Sequence, residues 1–265
     1  MPNYIRIQEG ESMTVFNDYA TMYDLFYKDK DYSAECHYVI DLINKYSELP
    51  ISSILDIGCG TGGHALIWAK DGIDVAGLDM SPTMLKYAKE KASELELPIS
   101  FMEGDVRSFD IERKFDAVTA MFAVMSYQTQ TEEILSALRS IRRHLEPGGL
   151  FLFDVWSGPG VISDPPTERV RSFMRDGIEI LRTVRPVHDI SRHVVKVHYD
   201  ILCIKDEKIL KRVKEVHGMR YLFPQEVADF ASRTGFKIVS SEPFMQHGES
   251  LRINDWNVMF VLMAV

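Results

Sequence analysis

Residues 54–65 read Ile-Leu-Asp-Ile-Gly-Cys-Gly-Thr-Gly-Gly-His-Ala, and they decide the fold predicted for this chain. The apolar side chains around Ile54 and Ile57 predict a buried strand. The glycines that follow predict a tight turn, because glycine adopts positive φ at little cost. A helical pattern begins near His64 and runs through Trp68. In this order of elements, a ligand bound at the turn would contact the glycine backbone and the free amides at the start of the helix.

The glycines alone leave two classes of adenosine ligand open. Gly58, Gly60 and Gly63 match the dinucleotide-binding pattern, which is typical of nicotinamide cofactors. Asp56 stands two residues before the first of them. A carboxylate there would repel a pyrophosphate, but it would attract a ligand that carries an ammonium and a sulfonium. The pattern therefore favours S-adenosylmethionine.

Two further acids follow predicted strands. Asp79 comes after the apolar stretch 74–78, about twenty residues past the first glycine, where it can accept hydrogen bonds from both ribose hydroxyls. Asp105 ends the stretch 101–105 and can accept from the adenine amine, while Val106 packs on the ring. These positions lie at the carboxyl ends of successive strands, where open α/β sheets bind ligands.

Five motifs in order resemble those of class I S-adenosylmethionine-dependent methyltransferases. They are Leu55-Asp-Ile-Gly-Cys-Gly-Thr-Gly62, Gly77-Leu-Asp-Met-Ser81, Gly104-Asp-Val106, Phe115-Asp-Ala-Val118 and Leu145-Glu-Pro-Gly-Gly149. The resemblance implies an α/β fold with a Rossmann-like, mostly parallel sheet of seven strands, and S-adenosylmethionine as cofactor. Tyr23-Asp-Leu-Phe-Tyr, Lys30-Asp-Tyr32 and Ala120-Met-Phe122 leading to Tyr127 are similar to enzymes that methylate amino groups of nucleotide-linked deoxysugars.

The resemblance extends the expected cofactor site beyond the three acids. In the family resembled, the tyrosine that matches Tyr23 contacts the methionine end of the cofactor. Met121 either flanks the adenine with its thioether or is an ordinary core residue. The full set expected to contact S-adenosylmethionine is Tyr23, Asp56, Gly58, Cys59, Gly60, Asp79, Met80, Asp105, Val106 and Met121.

The alternation of strands and helices breaks after residue 157. Segments 177–185, 193–204 and 208–222 alternate apolar and polar residues, which predicts an inserted antiparallel sheet of three strands. The insert is placed to cover the cleft and select the acceptor, or to form a homodimer interface. The expected parts are an N-terminal helical lid (1–49), a cofactor-binding core (50–157), the β insertion (158–222) and a C-terminal part (223–265) that completes the core sheet.

Transfer of a methyl group to an amine requires an unprotonated nitrogen, since an ammonium has no lone pair. A neutral histidine can accept that proton, so His217 is the first candidate for a general base and Tyr127 the second. Otherwise His217 is a surface residue or a cross-strand partner. Similar family members have a histidine where this chain has Tyr127, and many need no base because positioning alone suffices. The acceptor is expected to contact Tyr19, Asp154, Trp156 and Arg220, although Trp156 could equally cap the core.

Composition and charge narrow the function further. The 265 residues carry a formal net charge of −9 without a basic run among aromatic residues, which disfavours a nucleic-acid partner. Cys36, Cys59 and Cys203 are far apart, so neither zinc nor a disulfide framework is expected, and a reducing cytoplasm is the simple location. No basic leader or apolar stretch of bilayer length occurs, so no membrane association is expected.

The sequence thus predicts an S-adenosylmethionine-dependent methyltransferase that acts on an amine or hydroxyl of a small molecule, such as a nucleotide-linked sugar or another carbohydrate precursor. Two alternatives remain open. A nicotinamide-dependent oxidoreductase would use the same glycine turn, although Asp56 and the 104–106 motif speak against it. A non-catalytic protein would bind S-adenosylmethionine and show no turnover.

Overall fold

The computed structural model describes residues 20–48 and 50–265. Tyr19, which was predicted to contact the acceptor, lies outside the described residues. The helices are α1 (Ala20–Phe26), α2 (Tyr32–Tyr46), α3 (Gly63–Lys70), α4 (Pro82–Glu94), α5 (Thr131–Arg143), α6 (Gly158–Ser163) and α7 (Pro224–Ser232), with short 3-10 helices at Val124–Tyr127 and Ile190–Arg192. The strands are β1 (Ser53–Ile57), β2 (Asp74–Asp79), β3 (Ser100–Glu103), β4 (Phe115–Ala120), β5 (Leu145–Trp156), β6 (Arg169–Arg175), β7 (Ile178–Asp189), β8 (Val194–Lys205), β9 (Lys208–Arg220), β10 (Phe236–Pro243) and β11 (Asn257–Ala264).

Seven strands form one sheet in the order β10-β11-β5-β4-β1-β2-β3. The pairings among β1 to β5 are parallel, whereas β11 runs antiparallel to both β5 and β10. The strand order reverses beside β1, and ligands of open α/β sheets bind at such a reversal, outside the carboxyl ends of the strands. The predicted mostly parallel, Rossmann-like sheet of seven strands is confirmed.

Apolar side chains on both faces of the central strands explain why this sheet is covered on two sides. All five residues of β1 are buried, and successive side chains point to opposite faces. Leu55 and Phe151 join the core on the side of α5 and α7. Ile54 and Leu152 join the core on the side of α2, α3 and α4. The ends of the strands are therefore the places where polar side chains can act.

The inserted sheet has four strands, so the prediction of three strands was wrong. Its order is β6-β7-β8-β9, and every pairing is antiparallel. The sequence hides β6 because only Phe173 among its residues is partly buried, so that the strand shows no apolar alternation. In addition, Pro165 and Pro166 just before it are typical of a turn. An edge strand pairs on one side only and tolerates this exposure.

The inner face of the insert lies over α1 and over the carboxyl ends of the core strands. Ile180, Ile201 and Val213 of the insert pack with Met22 and Phe26 of α1. A second apolar cluster joins side chains of β8 and β9 to the segment after β4 and to the end of β5. Inner-face side chains of β8 and β9 thereby reach the edge at which the core strands end.

Among residues 20–48 and 50–265, no helix has the length and apolar character needed to cross a membrane. In the same part of the chain, no group of three or more histidine, cysteine or acidic side chains is arranged to hold a metal ion.

Candidate active site

The glycine turn after β1 is a cradle of bare backbone. Gly58, Gly60 and Gly62 have φ of +66°, +55° and +84°, a region that favours glycine. A Cβ on Gly58 would lie 2.4 Å from Cγ2 of Val124, so no side chain fits there. A Cβ on Gly60 would meet no atom within 4 Å. The turn is thus packed below Gly58 and open above Gly60, where a ligand can approach the backbone.

Asp56 lies at the base of this cradle with one oxygen unused. Its carboxyl is 2% exposed, and Oδ1 accepts a hydrogen bond of 3.0 Å from the Thr119 hydroxyl. Oδ2 is buried without a hydrogen-bond partner among the described residues. Burial raises the pKa of Asp56 to about 6, against the opposing effects of His64 and Thr119. A ligand that brings an ammonium to Oδ2 would offset the free-energy cost of burying the ionised carboxylate. S-adenosylmethionine carries such an ammonium.

Asp79, at the end of β2, is held by the cradle itself. Oδ2 accepts from the amide of Gly60 at 2.9 Å, and Oδ1 accepts from the amide of Ser81 at 2.8 Å. Burial raises the pKa of this carboxyl, while the amide hydrogen bonds oppose the rise. Each carboxylate oxygen has a second lone pair that can accept from a ribose hydroxyl. Met80 and Cys59 were also predicted to contact the cofactor. Met80 is 59% exposed, and Cys59 is buried beneath the turn.

The third predicted contact, Asp105, has a protein partner that the sequence analysis missed. Arg107 Nε lies 2.9 Å from both oxygens of Asp105, and its Nη1 lies 2.9 Å from Glu133 Oε1 on α5. The guanidinium holds the pKa of Asp105 below its ordinary value. An adenine amine would therefore share this carboxylate with Arg107. Val106 and Met121 are both buried, in the apolar clusters on opposite faces of the sheet.

Helix α1 is attached to the glycine turn by polar contacts. Asp24 accepts a 2.7 Å hydrogen bond from the Thr61 hydroxyl and forms a 2.7 Å ion pair with Lys91 of α4. The neighbouring Tyr23 is half-buried, and burial raises the pKa of its phenol, with Tyr32 close by. Tyr23 thus lies next to the residue that attaches α1 to the turn, and its contact with the cofactor stays a prediction.

On the opposite side of the cleft, the two predicted catalytic residues contact each other. The Tyr127 hydroxyl lies 3.1 Å from Nδ1 of His217, and Nε2 of His217 lies 2.9 Å from Oε2 of Glu215. His217 is 2% exposed and Glu215 is 7% exposed. The sequence analysis missed Glu215, although residues i and i+2 of a strand share one face and could have indicated the pair.

Asp154 shapes the segment that follows β4. Both of its oxygens lie 3.0 Å from the amide of Ala123, and burial raises its pKa to about 6. Phe122 and Ala123 have φ of +68° and +57°, so this carboxylate supports two successive strained residues. Phe122 then packs edge-on to Tyr27, with ring centroids 4.9 Å apart, and the Lys30 ammonium lies 4.6 Å from its centroid.

Two other residues that were predicted to contact the acceptor instead contact side chains from other parts of the chain. The Trp156 ring packs against Trp256 with centroids 4.9 Å apart. The Arg220 guanidinium donates to Glu226 Oε1 at 2.9 Å and is buried. The first contact joins the end of β5 to the segment before β11, and the second joins the insert to α7. A structural role therefore accounts for both side chains.

Comparisons with known proteins agree with this geometry. The profile of the methyltransferase domain family matches residues 54–149. The chain is 37% identical over 189 residues to dTDP-3-amino-3,4,6-trideoxy-alpha-D-glucopyranose N,N-dimethyltransferase of Streptomyces venezuelae. The aligned region covers 69% of this chain and 76% of the relative. The crystal structure of Streptomyces venezuelae DesVI superposes with a TM-score of 0.75 at 28% identity, over 92% of this chain and 98% of that chain. The sugar N-methyltransferase KedS8 of Streptoalloteichus sp. ATCC 53650 shares the fold, with a TM-score of 0.79 at 23% identity, over 100% and 98% of the two chains.

The chain belongs to the class I S-adenosylmethionine-dependent methyltransferases. Family membership decides between the two adenosine ligands that the glycines left open. S-adenosylmethionine is the cofactor, and the enzyme transfers its methyl group to a small molecule. The unused oxygen of Asp56 and the open space above Gly60 are the features of this chain that fit that ligand.

Proposed function

We propose that this enzyme methylates the amino group of a nucleotide-linked sugar. The observation that carries the proposal is the buried chain of hydrogen bonds from Tyr127 through His217 to Glu215. A general base works best when its pKa lies near the operating pH. An amine beside electron-withdrawing groups loses its proton near that pH, as an α-amino group does at about 7.7–8.0, whereas a hydroxyl holds its proton far more tightly. A histidine-based unit therefore suits an amine.

The charge of the insert supports a nucleotide on the acceptor. Residues 158–222 contain 13 lysines and arginines against 9 acids, whereas the rest of the chain contains 17 against 30. A local excess of positive charge attracts a diphosphate. Arg175 and Lys211 line a cavity between α1, α4 and the insert, together with Asp176 and the ring of Tyr87, so the cations outnumber the acid there. The Streptomyces venezuelae relative is named for a dTDP-linked aminosugar, which agrees with this chemistry.

The residues of the chain have distinct tasks in the proposed reaction. When bound, S-adenosylmethionine supplies a sulfonium methyl group to the lone pair of the acceptor. Asp56 and the turn hold the amino-acid end, Asp79 holds the ribose, and Asp105 with Val106 holds the adenine.

Other side chains enclose the cofactor or the acceptor. Met121 lines the adenine side, and Tyr23 with the rest of α1 closes the cleft over the turn. Phe122 and Tyr199 limit the space for the acceptor. His217 or Tyr127 takes the proton that the ammonium must lose.

A matched pair of acceptors tests the proposal. The enzyme is incubated with isotope-labelled S-adenosylmethionine and either a dTDP-linked 3-amino sugar or the same sugar with a 3-hydroxyl, and products are identified by mass spectrometry. We expect label on the amine only, added twice, since the relative is named an N,N-dimethyltransferase. Label on the hydroxyl sugar alone would refute the amine assignment. Cofactor binding without turnover of a wide acceptor panel would favour the non-catalytic alternative.

We also propose a cytoplasmic homodimer that binds no nucleic acid. The net charge of −9 supports the last point, and the three separate free cysteines support a reducing compartment. The outer face of the insert exposes Val170, Met174, Val187 and Val216, which suits a contact between two copies. Light scattering of the purified protein, with Val216→Glu as the disruptive variant, tests the dimer, and a monomeric wild type would contradict it.

A further inference from the structure

In its neutral form, the imidazole of His217 has only one arrangement of its proton that satisfies both neighbours. An ionised carboxylate only accepts hydrogen bonds, so the nitrogen that faces Glu215 must carry the hydrogen. This nitrogen is Nε2, at 2.9 Å from Oε2. Nδ1 is then the unprotonated nitrogen and accepts from the Tyr127 hydroxyl at 3.1 Å. Glu215 therefore selects the tautomer with the hydrogen on Nε2, and the Tyr127 hydroxyl donates to the basic lone pair of Nδ1.

The order of the three groups follows from their places in the fold. Tyr127 ends the 3-10 helix after β4, at the edge where the cofactor site lies. His217 and Glu215 lie on the inner face of β9, and the ring of Tyr199 covers the imidazole at a centroid distance of 4.8 Å. Both nitrogens of the imidazole are occupied, and a phenol oxygen can accept a hydrogen bond as well as donate one. A proton from the cleft can thus reach His217 through Tyr127.

We infer that Tyr127, His217 and Glu215 form a proton relay in which Tyr127 contacts the acceptor amine and Glu215 is a positioning residue. The inference rests on the proposed function for the identity of the acceptor. The ammonium N–H bond breaks and its proton joins the Tyr127 oxygen, as the original Tyr127 hydroxyl proton passes to Nδ1. The amine regains its lone pair, and the positive charge resides on the imidazolium. The Glu215 carboxylate balances that charge in a buried site.

The groups around the imidazole come from several elements, and each bears on its protonation. Glu215 of β9 is the anion in direct contact, and the hydroxyls of Tyr127 and Tyr199 are neutral neighbours. The titratable and charged groups that act on these two tyrosines are Tyr23 of α1, Tyr27 just after α1, Asp79 of β2, Arg182 of β7 and Glu215 itself. Removal of the Glu215 charge is therefore the change with the largest expected effect on proton uptake.

Nitrogen-15 NMR of the histidine rings tests the tautomer without acceptor or turnover. The wild-type protein should show the hydrogen of His217 on Nε2. In Tyr127→Phe the hydrogen should stay on Nε2, while the Nδ1 signal should move because it loses its hydrogen bond. A wild-type hydrogen on Nδ1 would overturn the relay. This readout holds whether or not the aminosugar is the acceptor, so it separates failure of the relay from failure of the proposed function.

The pH dependence of kcat tests the role of Glu215. Glu215→Gln keeps the volume and an accepting oxygen but removes the charge, so the acid limb of the profile should move down by about one pH unit. Turnover should fall about tenfold, with the affinity for S-adenosylmethionine unchanged. The control is Asp200→Asn, which loses a carboxylate paired with Arg212 on the neighbouring strand and should leave the profile unchanged.

An unmoved acid limb in Glu215→Gln, or an equal movement in the control, would overturn the inference. If Glu215→Gln does not fold, Tyr127→Phe gives the same decision. The relay predicts that Tyr127→Phe loses turnover by about a hundredfold or more, and that His217→Gln adds little to that loss, because residues that act as one unit are not additive. Full turnover in Tyr127→Phe would contradict it.

Discussion

The replacement Asp56→Asn separates the effect of this carboxylate on ligand binding from its effect on stability. Asparagine keeps the shape and the carbonyl oxygen that accepts from Thr119, but it carries no charge. We expect the variant to bind S-adenosylmethionine more weakly. We also expect its stability to improve, relative to the wild-type enzyme, as the pH rises. The two effects have one cause: the buried negative charge of Asp56 destabilises the unliganded fold and attracts a cationic ligand.

The magnitude follows from burial. Burial raises the pKa of Asp56 from 3.8 to about 6, and at about 1.36 kcal/mol per pH unit this rise corresponds to about 3 kcal/mol. The folded state binds this proton more tightly than the unfolded state does. The contribution to stability is therefore fully present below pH 3.8 and is lost as the pH rises through about 6.

The difference in unfolding free energy between variant and wild type isolates Asp56. It should change in favour of the variant by up to about 3 kcal/mol over this pH window. The difference also cancels the contribution of Asp154, whose pKa is about 6 for the same reason. The new amide nitrogen lacks an acceptor at the position of Oδ2, which costs about 1–3 kcal/mol at every pH. The pH dependence, rather than the absolute stability, is therefore diagnostic.

Urea unfolding followed by circular dichroism between about pH 4.5 and pH 8 measures the stability difference. Calorimetry at the same pH values measures the affinity for S-adenosylmethionine. The wild-type affinity should increase as the pH rises through about 6, and the variant should lose both this dependence and about 1–3 kcal/mol of binding free energy. A stability difference that does not vary with pH, or an unchanged affinity, would refute the reasoning.

Four further predictions concern the turn and the insert. Asp79→Ala should weaken S-adenosylmethionine binding by about 1–3 kcal/mol in calorimetry, because charge-assisted hydrogen bonds to the ribose are lost. Gly58→Ala should destabilise the fold by about 1–3 kcal/mol in urea unfolding, since its Cβ would lie 2.4 Å from Val124. Gly60→Ala should cost about 1 kcal/mol of stability but should impair cofactor binding, as its Cβ fills the open side of the cradle. Arg220→Met should lower the unfolding free energy by about 3 kcal/mol with an unchanged KM for the acceptor, and a selective rise in KM would argue for substrate contact.

The cofactor half of the site could be predicted because it depends on local chemistry. A turn with positive φ at alternate positions favours glycine, and an acid at the end of a buried apolar strand lies at the carboxyl edge of a parallel sheet. The glycine turn, Asp56 just before it and Asp79 at the end of β2 all lie within 25 residues of sequence. The structure joins their strands through the hydrogen bond from the Gly60 amide to Asp79.

The acceptor half depends on contacts between distant segments, which no local pattern reveals. Tyr127 and His217 are 90 residues apart, and only the fold of the insert over the core brings them within hydrogen-bond distance. The support that Asp154 gives to the amide of Ala123 depends on the pairing of β4 with β5. Strand β6 escaped prediction because an exposed edge strand lacks the apolar alternation by which strands are recognised.

Parallel calorimetric titrations of the wild-type enzyme with S-adenosylmethionine and with NAD⁺ test the central claim most directly. The claim is that the carboxylate beneath the glycine turn makes this a site for a cationic methyl donor and not for a pyrophosphate. We expect saturable binding of S-adenosylmethionine and no measurable binding of NAD⁺. Binding of NAD⁺ that S-adenosylmethionine cannot displace, or no binding of the methyl donor, would contradict it.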